Sequence, residues 1–301
     1  MSEIKQILCA IDLSDATNKV ISKAKLITHM TSASLTLIHT IEHHQLNFLR
    51  RILGGDEGSD TQAALNKVSA LLEAEKNKLL ASNVKVDTVI EQGVVTERIH
   101  AYSNKIKADL LVIGANGKST LQSLFLGSTA LKILRNSLCP VLIAKDDALT
   151  SYRRVLIGVD FSQDIQATIA MVKSLTPDAE IVLAHFYEIP FEGKLSHYSE
   201  LNDPYLENYR TEIREHALNK MNEIADTAHL DPLKSNIVVV QGDAVDKLLF
   251  MANDYGCDLL VLGKHGTNVA DEWLLGSVTN EIINVCEQDV LVMTQQKNVG
   301  G

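Results

Sequence analysis

Short runs of valine, isoleucine and leucine recur along the chain, separated by longer stretches in which apolar residues return every three or four positions. In the first half the runs are Ile7–Asp12, Leu35–Thr40, Lys85–Ile90, Leu110–Ile113 and Val141–Ala144. In the second half they are Val155–Asp160, Glu180–Phe186, Asn236–Val240, Leu259–Leu262 and Val290–Met293. Apolar runs without alternation are what strands covered on both faces require. Among the intervening segments, Thr61–Leu80 carries Ala64, Leu65, Val68, Leu71, Leu72, Leu79 and Leu80, a helical spacing, and Leu206–Ala228 is its counterpart. Strands alternating with helices predict right-handed crossovers and a parallel, doubly wound sheet. In such sheets ligands bind beyond the carboxyl ends of the strands, where the strand order reverses.

The pattern is also a repeat. Gln6-Ile7-Leu8-Cys9-Ala10-Ile11-Asp12-Leu13-Ser14 is matched by Arg154-Val155-Leu156-Ile157-Gly158-Val159-Asp160-Phe161-Ser162, each an apolar run ending in Asp-x-Ser. Leu35–His39 is matched by Ile181–His185, Glu91-Gln92-Gly93 by Val240-Gln241-Gly242, and Ala108–Gly114 by Cys257–Gly263. The matches keep their order at a nearly constant offset, which predicts two homologous domains, 1–148 and 149–301, joined near Asp146 to Tyr152.

A glycine pattern follows the fourth strand of each copy. Gly114-Ala115-Asn116-Gly117 is followed after nine residues by Gly127-Ser128, and Gly263-Lys264-His265-Gly266 after nine by Gly276-Ser277. Glycines allow close approach of the backbone and positive φ, and exposed amides in such a turn attract anions. The segment from Ser128 to Arg135 has a helical pattern. Ser128 and Ser277 thus stand near helix N-termini, where free amides and the helix dipole favour phosphate. A single glycine after a strand is commonly only a turn former; the duplicated pattern argues for more. Gly117-Lys118-Ser119 is not the tail of a phosphate-binding P-loop, because Val112 stands where that loop needs its first glycine. Neither first strand is followed by the Gly-x-Gly-x-x-Gly of dinucleotide binding.

Composition narrows the function classes. With 38 acidic against 28 basic residues, broad contact with nucleic acid or anionic lipid is disfavoured, although one nucleotide held by backbone amides is not. No apolar stretch has the length of a membrane span, and the residues from Met1 to Gln6 do not open a secretory signal, so a cytoplasmic location is expected. Cys9, Cys139, Cys257 and Cys286 form no Cys-x-x-Cys pair and read as reduced thiols in or near the core.

The Asp at the end of each first strand, the duplicated Gly-x2-Gly-x9-Gly-Ser and the Cys139-Pro140-Val141-Leu142 ending resemble the universal stress protein family, in its tandem, ATP-binding form. The resemblance covers essentially the whole chain. It implies two five-stranded parallel sheets with helices on both faces, of the adenine nucleotide α-hydrolase-like (HUP) class, packed as an intrachain pseudo-dimer through Val141–Ala144 and Val290–Met293. It also implies an adenine nucleotide, ATP with or without Mg²⁺, in each copy. In the first copy the contacts implied are Asp12, the backbone at Thr40, Gly114, Gly117, Gly127 and Ser128, with Lys118 as a phosphate partner or a solvated loop lysine. In the second they are Asp160, Phe186, Gly263, Gly266, Gly276 and Ser277. The copies depart from each other at Asn116 against His265, at Lys118 against Thr267, and at Trp273, whose counterpart is Leu124.

Several residues admit two readings. Asp12 and Asp160 suit helix capping as well as ligand contact. His39 and His185 match each other and read first as strand-end histidines. His39, His43 and His44 lack a metal-binding arrangement. Glu42–Asp60 and Glu188–Pro204 are long connections of the kind that form lids, in which Phe191 and Tyr198, with Tyr205 beyond, suit either a ligand or the partner domain. No general base or nucleophile is duplicated beside the glycine loop, so binding without fast turnover is the leading expectation. The rivals are a slow ATPase or phosphotransferase, with Asp12 or Asp160 on Mg²⁺ and Lys118 or Lys264 on the γ-phosphate, and a pocket for a lipid or metabolite. Further homodimerisation and the protein partner stay open.

Overall fold

A computed structural model describes residues 4–14, 17–42, 59–115, 126–145, 150–161, 165–189, 204–265 and 275–294. In the first copy the order is β1 (Gln6–Ala10), α1 (Thr17–Thr31), β2 (Ser34–Ile41), α2 (Ser59–Leu80), β3 (Val86–Gln92), α3 (Val95–Ile106), β4 (Leu110–Gly114), α4 (Ser128–Asn136) and β5 (Val141–Ala144). The second copy repeats it as β6 (Arg154–Gly158), α5 (Ile165–Leu175), β7 (Glu180–Tyr187), α6 (Pro204–Thr227), β8 (Ser235–Gln241), α7 (Ala244–Asp254), β9 (Leu259–Gly263), α8 (Ser277–Val285) and β10 (Asp289–Met293).

Each copy is a parallel unit of order 3-2-1-4-5. The two units are not separate sheets but halves of one ten-stranded sheet, β3-β2-β1-β4-β5-β10-β9-β6-β7-β8. The join is the antiparallel pairing of β5 with β10, in which Leu142 faces Leu291, Val141 faces Val292 and Ile143 faces Val290. Both strands are buried throughout, so each covers an apolar edge that the other would otherwise expose. The expected intrachain pseudo-dimer is therefore realised as a continuous sheet.

Two cores sandwich that sheet, and each runs through both copies. One lies beneath α1, α2, α5 and α6 and includes Cys9, Leu37, Ile157 and Leu183; the other lies beneath α3, α4, α7 and α8 and includes Leu8, Ile38, Leu156 and Val182. Alternate residues of one strand thus belong to opposite cores, which is why the strands read as unbroken apolar runs. Helices α1 and α5 pack against each other across the join.

One polar group is set into this contact. Asp289, fully buried at the start of β10, holds Lys23 Nζ of α1 at 2.9 Å, the Tyr152 hydroxyl at 2.6 Å and the Lys145 amide at 2.7 Å. Lys145 Nζ donates to the Cys286 carbonyl at 2.7 Å, and Lys19 Nζ to the Lys145 carbonyl at 2.6 Å. The equivalent positions of the opposite copies are Met171 for Lys23 and Pro140 for Asp289, so the pseudo-two-fold does not repeat the ion pair. Helices α1 and α5 do share one local bond, Thr28 Oγ1 to the Ala24 carbonyl and Thr176 Oγ1 to the Val172 carbonyl, both 2.8 Å and each made within its own copy.

Candidate functional site

The chain runs outward from β1 to β2 and β3, then returns to β4 on the other side of β1. The order reverses between β1 and β4, and likewise between β6 and β9. Asp12 and Gly114 emerge at the carboxyl ends of the first pair, Asp160 and Gly263 at those of the second.

Strand β1 stops at Ala10 and β6 at Gly158, two residues short of the expected Asp12 and Asp160. The backbone turns there. Leu13 and Phe161 both take left-handed φ, 56° and 60°, costly for a bulky side chain and present at the same place in both copies. Asp12 Oδ1 accepts the Ser14 amide at 3.0 Å and the Thr17 hydroxyl at 3.3 Å, which fixes the entry to α1. Capping is thus part of its role, and Oδ2 takes neither bond. Asp160 is exposed, on the wall of a recess formed with Gly158, Phe161, Ile165, Thr168 and Gly263. The described residues leave about 20 Å³ in it, room for a single water.

The two histidines at the ends of the second strands hold these turns. His39 Nδ1 lies 2.8 Å from the Ile11 carbonyl, and His185 Nδ1 2.7 Å from that of Val159. Since a carbonyl only accepts, both rings carry the proton on Nδ1. Burial pushes the His185 imidazole below its ordinary range, against the pull of the Val159 hydrogen bond, so it is neutral near pH 7. Phe161 rests on His185 with ring centroids 4.3 Å apart, and Lys220 Nζ lies 5.3 Å from the Phe161 ring centre.

The glycine motif has one geometry in both copies. The Gly127 amide donates to the Ala115 carbonyl at 2.8 Å, and the Gly276 amide to that of Lys264 at 2.9 Å. Both glycines then cap the next helix, with φ/ψ of −61°/148° and −57°/147°, and neither end has a side-chain cap. Ser128 and Ser277 are the exposed first residues of α4 and α8. Neither glycine uses the positive φ that glycine permits. Among the described glycines, positive φ belongs to Gly93, Gly242 and Gly256, of which the first two end β3 and β8 at 133° and 138°. Gly127 and Gly276 act by what they lack: a serine or aspartate there would occupy the first-turn amides, which glycine leaves unclaimed.

The carboxyl edge of the first copy thus gathers Asp12, Thr40, Gly114, Gly127 and Ser128, and that of the second Asp160, Phe186, Gly263, Gly276 and Ser277. Asn116, Gly117, Lys118, Gly266, Thr267 and Trp273 lie outside the described residues, as do His43, His44, Phe191, Tyr198 and the side chain of Tyr205. Lys264 does not serve the phosphate role considered for it. It is buried, and its Nζ donates to the Ser137 carbonyl of the other copy at 3.2 Å.

Sequence reasoning named Thr40 for its backbone alone and gave Ser14 no role of its own. Ser14 Oγ and Thr40 Oγ1 are both buried without a hydrogen-bond partner. The serine of Asp-x-Ser was visible as a repeat, but only coordinates reveal a missing partner. All four cysteines are free thiols; burial pushes the Cys257 thiol up to about 11, far from a nucleophile's range. Among the described residues no cluster of His, Cys, Asp or Glu has the makings of a metal site, and no helix is long and apolar enough to cross a membrane.

Comparison with known proteins accords with this geometry. The family model for the universal stress protein family matches residues 3–145 and again 151–294. Universal stress protein A homolog 1 of Coxiella burnetii is 33% identical over 144 residues, covering 46% of this chain and 94% of that protein. Universal stress protein Mb2028c of Mycobacterium bovis is 26% identical over 247 residues, 80% of this chain and 78% of its own. In fold, the chain is similar to a universal stress protein from Archaeoglobus fulgidus, with TM-score 0.69, 18% identity and 97% of both chains covered.

Proposed function

The chain belongs to the universal stress protein family as a tandem of two copies, and on that premise we propose that it is an ATP-binding regulatory protein with one adenine-nucleotide site in each copy. The observation that carries the reading is the twice-made helix start. Helices α4 and α8 open on glycines that give no side-chain cap, beside the strand ends where Asp12 and Asp160 emerge. First-turn amides and the positive end of the helix dipole are suited to phosphate oxygens.

The residues present suit a polar ligand. A buried hydroxyl without a partner costs about 1–3 kcal/mol, and the first copy holds two, Ser14 Oγ and Thr40 Oγ1. A ligand able to bond them recovers that loss. Bound ATP supplies the phosphate charge and a hydrogen-bonding base. In the first copy Asp12 through Oδ2, the backbone at Thr40, Gly114, Gly127 and Ser128 hold it, with Gly117 and Lys118 added on sequence alone. In the second the set is Asp160, Phe186, Gly263, Gly276 and Ser277, with Gly266 on the same footing. Mg²⁺ beside the phosphates belongs to this reading, as do a cytoplasmic location and units of 1–148 and 149–301.

Regulation by occupancy is favoured over turnover. Both histidines near the strand ends are committed to backbone carbonyls, and Lys264 points away into the join. Interactions that hold a ligand without favouring a transition state give occupancy and no rate. Because α1 begins beside Asp12 and packs on α5, which begins beside Asp160, a nucleotide at either end acts on the join and biases one arrangement of the copies. Mass spectrometry of nucleotide extracted from the purified protein, with thermal denaturation in added ATP, tests this. ATP at a hundredfold over its Kd adds about 2.7 kcal/mol of stability per site. Neither copurified nucleotide nor a rise in melting temperature would end the reading, and rapid phosphate release with Mg²⁺ would replace it with an enzyme.

A further inference from the structure

The two sites differ where the pleat of the second strand brings a side chain to the nucleotide edge. Side chains of β1 and β2 alternate between the two cores, and Leu8 and Ile38 belong to the core beneath α3 and α4. Two residues beyond Ile38, Thr40 lies on that same face, the one on which α4 starts at Gly127. Phe186 holds the equivalent place in the second copy, where it packs against the same core. The first copy therefore presents a hydroxyl where the second presents a phenyl ring.

The hydroxyl is unusual. Thr40 is 8% exposed, and its Oγ1 is buried with no hydrogen-bond partner. A valine would occupy the strand with nearly the same outline and leave no polar atom stranded, so in the free protein the hydroxyl is a cost. A ligand group that bonds it reverses the sign. Resting on the adenine-nucleotide reading above, we propose that Thr40 Oγ1 is a base-reading group of the first site, hydrogen-bonding the heterocycle of the nucleotide. The second site holds its base by contact with Phe186 and lacks this bond. The first site then discriminates among bases and the second tolerates them, because a site built around a hydrogen bond rejects ligands that leave its polar group unpaired far more strongly than an apolar wall does.

Two readouts on the full chain test this. Thr40→Val removes the hydroxyl and Thr40→Ser keeps it. Without ligand, Thr40→Val should melt at or above the wild-type temperature. A lower melting point would mean that the hydroxyl has a structural partner, and would overturn the proposal whatever the ligand does. In calorimetric titration with ATP, Thr40→Val should weaken one of two sites about tenfold and leave the other unchanged, with Thr40→Ser close to wild type. Unchanged affinity at both sites in Thr40→Val also overturns the proposal, while leaving nucleotide binding intact. A wild type that takes up no ATP overturns both together, and is told apart from the previous outcome by the wild-type titration itself.

Discussion

Asp289→Asn is the sharpest perturbation of the join between the copies. In the native protein Lys23 is 2% exposed and Asp289 0%, with Nζ and Oδ2 2.9 Å apart. Asparagine preserves the size of the side chain and an acceptor for the Lys145 amide, but it removes the charge and turns an amide donor toward the Lys23 ammonium. That ammonium then sits in the interior with the Tyr152 ring, 4.9 Å from its centre, as its remaining nearby partner among those described. Breaking a buried pair from one side costs about 3–5 kcal/mol, a large share of the roughly 5–15 kcal/mol that holds a folded protein together. Lys23→Met removes the other charge and installs the residue that the second copy already carries at Met171. The double variant strands no ammonium, so it should be more stable than Asp289→Asn alone. Urea denaturation followed by circular dichroism gives the four free energies of the cycle. The coupling should reach at least about 2 kcal/mol and survive high salt, which screens exposed pairs but reaches buried ones little. A loss under about 1 kcal/mol for Asp289→Asn, or a double variant equal to the sum of the singles, would refute the reasoning.

Other outcomes follow from the same geometry. Gly127→Asp has room, since the nearest atom to a new Cβ is the Ala115 carbonyl oxygen at 3.5 Å; as a true cap it should stabilise the protein by a few tenths of a kcal/mol, yet lower ATP stoichiometry by one site, read by thermal denaturation and calorimetry. Gly93→Ala and Gly242→Ala place a side chain at φ of 133° and 138°, and each should cost at least about 1 kcal/mol in urea denaturation without abolishing ATP uptake. Burial, with Lys264 nearby, holds the His100 imidazole below its ordinary range, and its Nε2 is buried without a partner. The folded protein therefore takes up that proton less readily than the unfolded chain, so stability present above about pH 6.5 is lost as pH falls toward the folded value. His100→Leu, which copies Leu249 of the second copy, should reduce the loss between pH 7 and pH 5; an unchanged slope of the urea midpoint against pH would count against it.

What the sequence made legible was whatever repeats along it. The inner strands appear as apolar runs because each is buried on both faces, while the edge strands β3 and β8 are only half-buried, and the duplicated glycine spacing marks two real helix starts. Contacts made once were hidden. In α1, Lys23 stands among Val20, Ile21, Ala24 and Ile27, and helical periodicity gives no sign that it is as buried as they are. Its reason, Asp289, is more than 260 positions away at the head of a strand, where a charged residue usually marks an exposed end. Lys264 misled in the opposite sense: a lysine inside a glycine-rich motif suggests phosphate, but the antiparallel join turns it toward Ser137. The motif glycines were read for close approach and conformational freedom, whereas Gly127 and Gly276, at their helix caps, need only a missing side chain. No pattern in one dimension reveals that the Thr40 hydroxyl has no partner.

These single contacts share a cause. In a symmetric homodimer any residue at the interface is present twice, so a Lys–Asp bridge across the two-fold is made twice or not at all. Fusing two copies into one chain removes that constraint. Lys23 can then differ from Met171, Asp289 from Pro140 and Thr40 from Phe186, each changed on one side only. A buried charge pair made once also discriminates between partners. Two chains pairing β10 against β10 would bring two Asp289 carboxylates to the join with no lysine for either, since Met171 fills the lysine's place beside them. That arrangement buries unpaired charge and is disfavoured by several kcal/mol, whereas β5 against β10 satisfies it. Asp289 thus favours pairing a first copy with a second copy over pairing two second copies. Lys23→Met with Asp289→Asn, which removes the code while keeping the apolar strands, should raise the fraction of dimers joined β10 to β10, seen by size-exclusion chromatography after refolding at high protein concentration. An equal dimer fraction in wild type and double variant would mean that the linker alone sets the pairing.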